Sequence, residues 1–157
     1  MRIRRATSID LPLIGRLGAL LVEAHHAFDP QRFLAATSRT KEGYAYFLGT
    51  QLEEPDAAIF VADDNDNVIG YAYAVVDDSY DYMALRGPAG ILHDIIVDPD
   101  NRGRGVGRLL LEAVFTYLQS RGAPRIVLST AERNEVAQRL FAGVGFRRTM
   151  IEMTREL

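Results

Sequence analysis

The sequence predicts an α/β fold in which a mixed, largely antiparallel sheet is flanked by helices. Residues 57–62 and 68–76 are apolar or aromatic runs separated by the turn-forming sequence DDNDN, a pattern typical of a β-hairpin. Residues 91–97 form a further strand, rich in Ile and Val, that precedes a glycine-rich turn and an amphipathic helix. A strand at 125–130 completes a β-α-β unit, and the two strands of such a unit are parallel.

Helix start and stop signals set the bounds of the other elements. Asp10 is the expected N-cap of the first helix, because Pro12 is tolerated only within a first helical turn. An Asp-Pro pair at 29–30 ends that helix, and Gly122 and Gly145 end two later helices. In chain order, the predicted elements begin with a strand at 3–6, a helix ending before residue 29, and a helix over 31–54 with Tyr44, Phe47 and Leu48 as core candidates. They continue with the hairpin strands at 57–62 and 68–76, a loop at 77–89 and a strand at 91–97. The last predicted elements are a helix whose apolar stripe runs from Val106 to Leu118, a strand at 125–130, a helix at about 135–144 and a final strand at 146–155.

Length and composition favour one domain spanning residues 1–157, because the chain has 157 residues, of which 48% are hydrophobic and 25% charged. The net charge of −3 gives no support for a nucleic-acid partner. The absence of cysteine excludes disulfides, thiolate metal ligands and a cysteine nucleophile. No apolar run is long enough for a membrane span and no signal peptide is evident, so we expect a cytoplasmic protein without a membrane partner.

The turn after the strand at 91–97 has the features of an anion site. Its glycines let the backbone approach a ligand, and the first amides of the following helix have no intrahelical partners. Arg102, Arg104 and Arg108 add positive charge at the same place. The turn therefore predicts a diphosphate site, although it contains neither the Gly-Lys-Ser/Thr of a Walker loop nor the G-x-G-x-x-G of a dinucleotide fold.

The R-x-x-G-x-G pattern at 102–107, after a strand and an Asp-Pro pair, resembles the acyl-CoA-binding motif of the GNAT superfamily of N-acetyltransferases. The opening IRRATSIDLPLI resembles the first strand and helix of that family, and N-x-x-A-x-x-L-F followed by G-F, over 134–146, resembles its closing helix and turn. The resemblance spans nearly the whole chain, is strongest over 91–146 and is poor over 29–55. It implies a GNAT-like sheet of about six strands with a central splayed parallel pair, about four helices, and acetyl-CoA as the co-substrate.

The resemblance also implies how the co-substrate is held. The loop at 102–108 would bind the CoA pyrophosphate through backbone amides, and the strand at 95–97 would diverge from its parallel neighbour, pair with the pantetheine arm and polarise the thioester carbonyl. Asn134 would lie beside the pantetheine, and it could also act as a helix cap. Phe141 stands where many members carry a Tyr that protonates the thiolate, so another hydroxyl, a water or an unassisted thiolate must serve. The implied cofactor-binding residues are Ile95, Ile96, Val97, Arg102, Gly103, Arg104, Gly105, Val106, Gly107, Arg108, Asn134 and Phe141.

His93 and Asp94 are the candidate catalytic residues, because acyl transfer to an amine of pKa near ~10.4 requires a group that removes a proton. Because the two residues are neighbours on one strand, their side chains are expected to point to opposite faces of the sheet. His93 matches the position at which polyamine-acetylating relatives carry a Glu proposed as the base, and it is slightly favoured over the alternative of a core or anchoring histidine. For Asp94 the alternative is a structural hydrogen bond where the strands separate.

The acceptor site is predicted from acidic and aromatic clusters. The sequence DDSYDY at 77–82 precedes the strand at 91–97, and acidic residues and histidines cluster near the end of the first helix. Carboxylates and aromatic rings suit a cationic amine, although a solvated loop is an equal alternative. His25 and His26 have no Cys or Glu-x-x-His partner, so no metal site is expected. The candidate substrate-binding residues are Glu23, His26, Asp29, Tyr80 and Tyr82.

We therefore expect an acyl-CoA-dependent N-acetyltransferase that transfers acetyl directly to a small cationic primary amine in a ternary complex, since no thiol is available for a covalent relay. A protein N-terminus or a lysine is the alternative acceptor. Two other interpretations are a non-catalytic CoA-binding sensor on the same fold, which Phe141 favours, and a binding module without a cofactor. Many relatives form dimers, so a homodimer is one option for the assembly.

Overall fold

The computed structural model describes residues 1–77 and 88–157. Its five-stranded sheet has the order β1-β2-β3-β4-β5, in which neighbours are antiparallel except for the parallel pair β4 and β5. The predicted α/β class, mixed sheet and four helices are confirmed. The strands are β1 (Arg2–Arg5), β2 (Ala57–Asp64), β3 (Asn67–Asp77), β4 (Ala89–Val97) and β5 (Ile126–Leu128), and the helices are α1 (Leu11–Phe28), α2 (Thr40–Gln51), α3 (Val106–Ser120) and α4 (Glu135–Gly143).

Helices cover both faces of the sheet, so the molecule has two apolar clusters. On one face, α1 and α2 pack against β2 and β3 through residues such as Ile14, Leu48 and Tyr71. On the other face, α3 and α4 pack through residues such as Leu110 and Phe141. Most residues of β2 and β3 are buried because successive side chains contact opposite clusters, as the apolar sequence of β3 predicts.

The hairpin of β2 and β3 is confirmed and slightly longer than predicted. Asn65 and Asp66 form its tip with φ angles of 54° and 64°, the left-handed conformation that a two-residue hairpin loop needs. Asp63 supports the tip by accepting a hydrogen bond from the Asp66 amide. At the other end, β3 reaches Asp77 and β4 begins at Ala89, so most of the predicted loop at 77–89 lies outside the described residues.

Asp10 holds the predicted N-cap position before α1, and Pro12 lies in the first turn of that helix, but the hydrogen bond of a capping side chain is absent. The Asp10 carboxylate makes no capping bond to α1, because the amide and hydroxyl of Thr7 and the guanidinium of Arg4 donate to it. Arg4 also donates to Asp63, another buried carboxylate. Asp10 therefore joins β1 to the start of α1 through a largely buried ion pair.

The second helix is shorter than the predicted span of 31–54. The Asp29 carboxylate accepts hydrogen bonds from the amides of Gln31 and Arg32, which forms a turn where the helix was expected. The helix begins at Thr40. Of the three core candidates, Leu48 is fully buried and Tyr44 partly buried, but Phe47 remains 48% exposed.

The predicted final strand at 146–155 is wrong, since the described residues after α4 contain no strand. Met150, Ile151 and Met153 are exposed, so these large apolar side chains of the tail are not packed against the sheet. As a result, β5 is an edge strand, and the parallel pair lies at one side of the described sheet. None of the described helices combines the length and apolarity that a membrane span requires.

The buried carboxylate of Asp10 predicts a loss of stability in acid. The Arg4 guanidinium lowers the pKa of Asp10 to about 2, from 3.8. Because the folded pKa lies below the unfolded one, the stabilisation is complete above about pH 4 and is lost as the pH falls towards 2. Asp10→Asn should lower the free energy of unfolding by about 3 kcal/mol at pH 7 and flatten this acid dependence, as measured by urea denaturation at several pH values.

The matched control is Asp56→Asn, which removes a carboxylate from an exposed ion pair with Arg121. It should cost less than about 1 kcal/mol at pH 7, because solvent screens such pairs. An Asp10→Asn protein as stable as this control would contradict the role given to the buried pair.

Candidate active site

A cleft opens where the two parallel strands separate. The pairing of β4 with β5 covers only Gly90–Leu92 opposite Ile126–Leu128, whereas β4 stays paired with β3 as far as Val97. Beyond Leu92, β4 therefore has no strand on its β5 side within the described residues. The predicted divergence of the strands is confirmed. Leu92, Ile95, Leu128, Ser129 and Thr130 line the resulting cleft.

The glycine-rich loop lies between the end of β4 and the start of α3. Gly103 and Gly105 have φ angles of 76° and 79°, which side-chain-bearing residues rarely adopt, and a Cβ at either position would meet no atom within 4 Å. Gly105 is the residue that precedes α3. The amides of residues 103–108 make no hydrogen bond within the described parts of the chain. The loop thus presents donors that neither the helix nor its surroundings satisfy.

The three arginines of this loop are exposed and partly engaged by the protein. Arg104 donates to Asp64 at 3.0 Å, which ties the loop to the hairpin. Arg108 donates to the Gly143 carbonyl at 2.9 Å, and Arg102 donates to the Val97 carbonyl at 3.2 Å. A guanidinium has five N–H groups, so each arginine retains donors for a ligand.

The first cavity of the site, which we call the donor cleft, has a volume of about 440 Å³. It extends from the diverging strands to the end of α1 and the start of α4. Asn134 caps α4 by accepting a hydrogen bond from the Ala137 amide at 3.2 Å, and it also lines the cleft. Phe141 lines the cleft as well, and its ring packs edge-on against Phe146. The sequence-predicted pair Asn134 and Phe141 therefore lies beside the free edge of β4.

A second cavity of about 360 Å³ adjoins the donor cleft, and we call it the ring pocket. The two cavities share Tyr44, His93 and Asp94, which therefore lie at their junction. A ligand in one cavity would meet a ligand in the other at these three side chains. The residues that line the ring pocket are Gly43, Tyr44, Phe47, Tyr73, His93 and Asp94.

The expectation that His93 and Asp94 point to opposite faces is wrong, because β4 contains a bulge. Tyr73 pairs with Asp94 and Ala74 with Leu92, which leaves His93 as an extra residue. A bulge turns two neighbouring side chains towards one side, and such irregularities are common next to active sites. Here the His93 ring stacks on Tyr73, on the α2 side of the sheet, with a centroid distance of 5.2 Å.

Asp94 is the largely buried charge at the junction. Burial raises the pKa of Asp94 above its usual range, while a hydrogen bond of 2.9 Å from the Tyr71 hydroxyl and the nearby His93 and His25 oppose that rise. Burial also raises the pKa of Tyr44 and of Tyr71, so both phenols stay protonated near neutral pH. The structural hydrogen bond considered for Asp94 is present, and the same carboxylate lines both cavities.

The candidate acceptor residues do not come together. Glu23 is exposed on α1, and His26 donates through Nδ1 to the Phe33 carbonyl, so neither lines the two cavities. Asp29 forms the turn after α1, and Tyr80 and Tyr82 lie outside the described residues. The neighbour of His26, His25, does line the donor cleft.

The ring pocket includes residues that the sequence did not single out as functional. Tyr73 belongs to an apolar strand and was expected to be core, as were Tyr44 and Phe47 on α2. A local signal was present, because Gly43 and Phe47 are four residues apart and so share one face of a helix. Which strand that face meets depends on long-range packing, which the sequence pattern does not contain.

Comparisons with known proteins place this geometry in a family. The family model described as the acetyltransferase (GNAT) family matches residues 21–146. Mycothiol acetyltransferase from Thermobispora bispora is 32% identical over 97 residues, which cover 62% of this chain and 32% of that protein. The chain thus spans about a third of the length of that relative. YhfO of Bacillus subtilis, described as an uncharacterized N-acetyltransferase, is 27% identical over 93% of this chain and 89% of its own length.

Solved structures support the same fold. A tetramutant of the BH1408 protein from Bacillus halodurans matches with a TM-score of 0.87 and 24% identity, and the match covers 100% of both chains. An aminoglycoside N-acetyltransferase, AAC(6')-Iy in complex with CoA, matches with a TM-score of 0.77 and 21% identity over 99% of this chain and 93% of that chain. At these identities the likeness concerns the fold alone.

The hydroxyl of Tyr71 predicts a change in the ionisation of Asp94. Tyr71→Phe removes the hydrogen bond that favours the charged carboxylate, so the pKa of Asp94 should rise further. The measurement is an NMR titration of the side-chain carboxyl carbon of Asp94. Tyr73→Phe is the control, because the Tyr73 hydroxyl donates to Gln51 and its removal should leave the pKa of Asp94 unchanged. A pKa that stays constant or falls in Tyr71→Phe would contradict this assignment.

Proposed function

The chain belongs to the acetyltransferase (GNAT) family, and on that premise we propose that it transfers an acetyl group from acetyl-CoA directly to a primary amine. The observation that carries this proposal is the meeting of two cavities at His93 and Asp94. One cavity is bounded by a strand edge with free backbone groups, and the other by aromatic rings and a carboxylate. Such an arrangement suits two substrates that react where they meet.

The donor cleft fits a nucleotide thioester. The unpaired amides at 103–108 lie at the start of a helix, where a diphosphate is stabilised by the helix dipole. The positive φ angles of Gly103 and Gly105 keep side chains away from this surface. When bound, acetyl-CoA supplies the activated acyl group. We assign Arg102, Arg104, Arg108, Asn134 and the backbone of 95–97 to holding it.

The remaining steps fall to side chains at the junction. The Asp94 carboxylate attracts the ammonium group of the acceptor, and the exposed imidazole of His93 takes its proton and releases it to solvent. Backbone amides near Ile95 stabilise negative charge on the acyl oxygen. The Phe141 ring has no proton to give, but Tyr44, Ser129 and Thr130 bring hydroxyls to the same cleft.

The loop assignment predicts a specific loss of CoA affinity in Gly105→Ala. A Cβ strains the left-handed backbone at this position and tilts the amides that hold the diphosphate. CoA at a hundredfold its Kd should stabilise the natural chain by about 2.7 kcal/mol in a thermal-shift assay, and pantetheine, which lacks the diphosphate, should stabilise it less. In Gly105→Ala we expect the Kd for CoA to rise about tenfold.

The chain offers a matched control for this variant at the other end of α3. Gly122 has a φ angle of 77° and, like Gly105, has open space where a Cβ would be added, yet it follows the C-terminal end of α3 and not the start of that helix. Gly122→Ala should lower the free energy of unfolding by an amount similar to that of Gly105→Ala, and its Kd for CoA should equal that of the natural chain. Equal CoA affinities in the two variants would show that the loop does not hold the diphosphate.

If His93 is the base, its replacement should slow turnover without weakening CoA binding. His93→Ala should lower kcat about 100-fold near neutral pH, because it removes the group that takes the proton of the acceptor. Thiol release from acetyl-CoA, measured against a panel of amines, gives the rate. If CoA binds but no amine releases thiol in the natural chain, the CoA-binding sensor is the correct alternative.

A further inference from the structure

The walls of the ring pocket are flat rings held in fixed relative positions. The His93 ring lies on Tyr73 at an interplanar angle of 21°, and the Phe47 ring meets Tyr73 edge-on at a centroid distance of 6.0 Å. Such stacked and edge-on arrangements are those that aromatic rings prefer. The geometry leaves ring faces and edges as the main surface of the pocket.

Neighbouring contacts lock these rings before any ligand binds. The Tyr73 hydroxyl donates to Gln51 at 2.7 Å. The Tyr44 ring lies against Gly18 of α1, where an added Cβ would be only 2.3 Å from the ring. The Tyr71 hydroxyl donates a hydrogen bond to the Asp94 carboxylate and holds it in place. A rigid aromatic pocket binds a flat ligand without the entropic cost of ordering its own side chains.

The ring pocket combines one carboxylate with several rings. Asp94 lies at the junction with the donor cleft, and the other side chains that line the pocket are those of Tyr44, Phe47, Tyr73 and His93. An ammonium group placed beside Asp94 therefore has the rest of its molecule among rings. An apolar or aromatic body gains from this burial, whereas further ammonium groups would lose hydration where the described residues of the lining offer no second carboxylate.

Gly43 provides room for that body. It lies within α2 and lines the ring pocket, and a Cβ built on it meets no atom within 4 Å, so a side chain can be added there without a clash. Any side chain other than that of proline also improves the helix propensity at this position. Gly43 is therefore a position where the pocket can be filled while the fold is kept.

On the basis of the proposed function, we propose that the acceptor is an arylalkylamine: a single primary ammonium on a short chain that carries an aromatic ring. The ammonium lies at Asp94 and His93, where it meets the acyl group. The ring occupies the ring pocket, and Gly43 sets the size of ring that fits.

The test compares three amines with the natural chain and acetyl-CoA: 2-phenylethylamine, the polycation spermidine and the aminoglycoside neamine. We expect kcat/KM for 2-phenylethylamine to exceed the other two values at least tenfold. Gly43→Leu should raise the KM for 2-phenylethylamine at least tenfold and leave the Kd for CoA unchanged. Gly143→Leu, the same change on α4 with equally open surroundings, should leave that KM unaltered, because Gly143 lines neither cavity.

The outcomes separate this inference from the proposed function. Faster turnover of spermidine or neamine, or an unchanged KM in Gly43→Leu, would overturn the arylalkylamine class and leave the acetyltransferase proposal standing. If no amine is acetylated, the acetyltransferase proposal fails. Calorimetry of 2-phenylethylamine with the CoA-loaded protein then tests whether the ring pocket binds an arylalkylamine. Binding that Gly43→Leu weakens tenfold would support it, and no binding, or equal binding to both proteins, would overturn it.

Discussion

The loss of strand pairing beyond Leu92 is the constraint on which the site depends. A buried strand normally satisfies its backbone groups on both sides, but beyond Leu92, as far as Val97, β4 has a partner strand on one side only. This leaves an open cleft and a free strand edge directly before the glycine-rich loop. Unpaired backbone groups cost little free energy where solvent or a ligand reaches them. The separation of β4 from β5 is therefore itself a sign of a binding site.

The bulge at His93 gives this cleft its chemistry. In a regular strand, His93 and Asp94 would lie on opposite faces, and only one of them could reach a reacting group. The extra residue in β4 brings both to the junction, where the imidazole is exposed and the carboxylate is largely buried. When two neighbouring titratable groups lie in different environments, one can accept a proton while the other stays charged and orients the substrate.

Local signals were sufficient to predict much of the fold. The DDNDN turn predicted the hairpin, and the glycines around Arg104 predicted the loop before α3. Three features depended on tertiary contacts and were missed. Asp10 binds Arg4 instead of capping α1, the tail after α4 forms no strand, and the bulge at His93 follows from the registry of β4 against β3. The ring pocket was missed because it requires α2 to meet β3, a contact that no short motif encodes.

The proposed function requires the free edge of β4 and the amides of the following loop to hold the donor substrate. An amide NMR titration of the isotope-labelled protein with CoA measures this contact residue by residue. We expect the largest shifts on residues 95–97 and 103–108, with smaller changes around Asn134. Large shifts confined to β1 and β2, on the far side of the sheet, would contradict it.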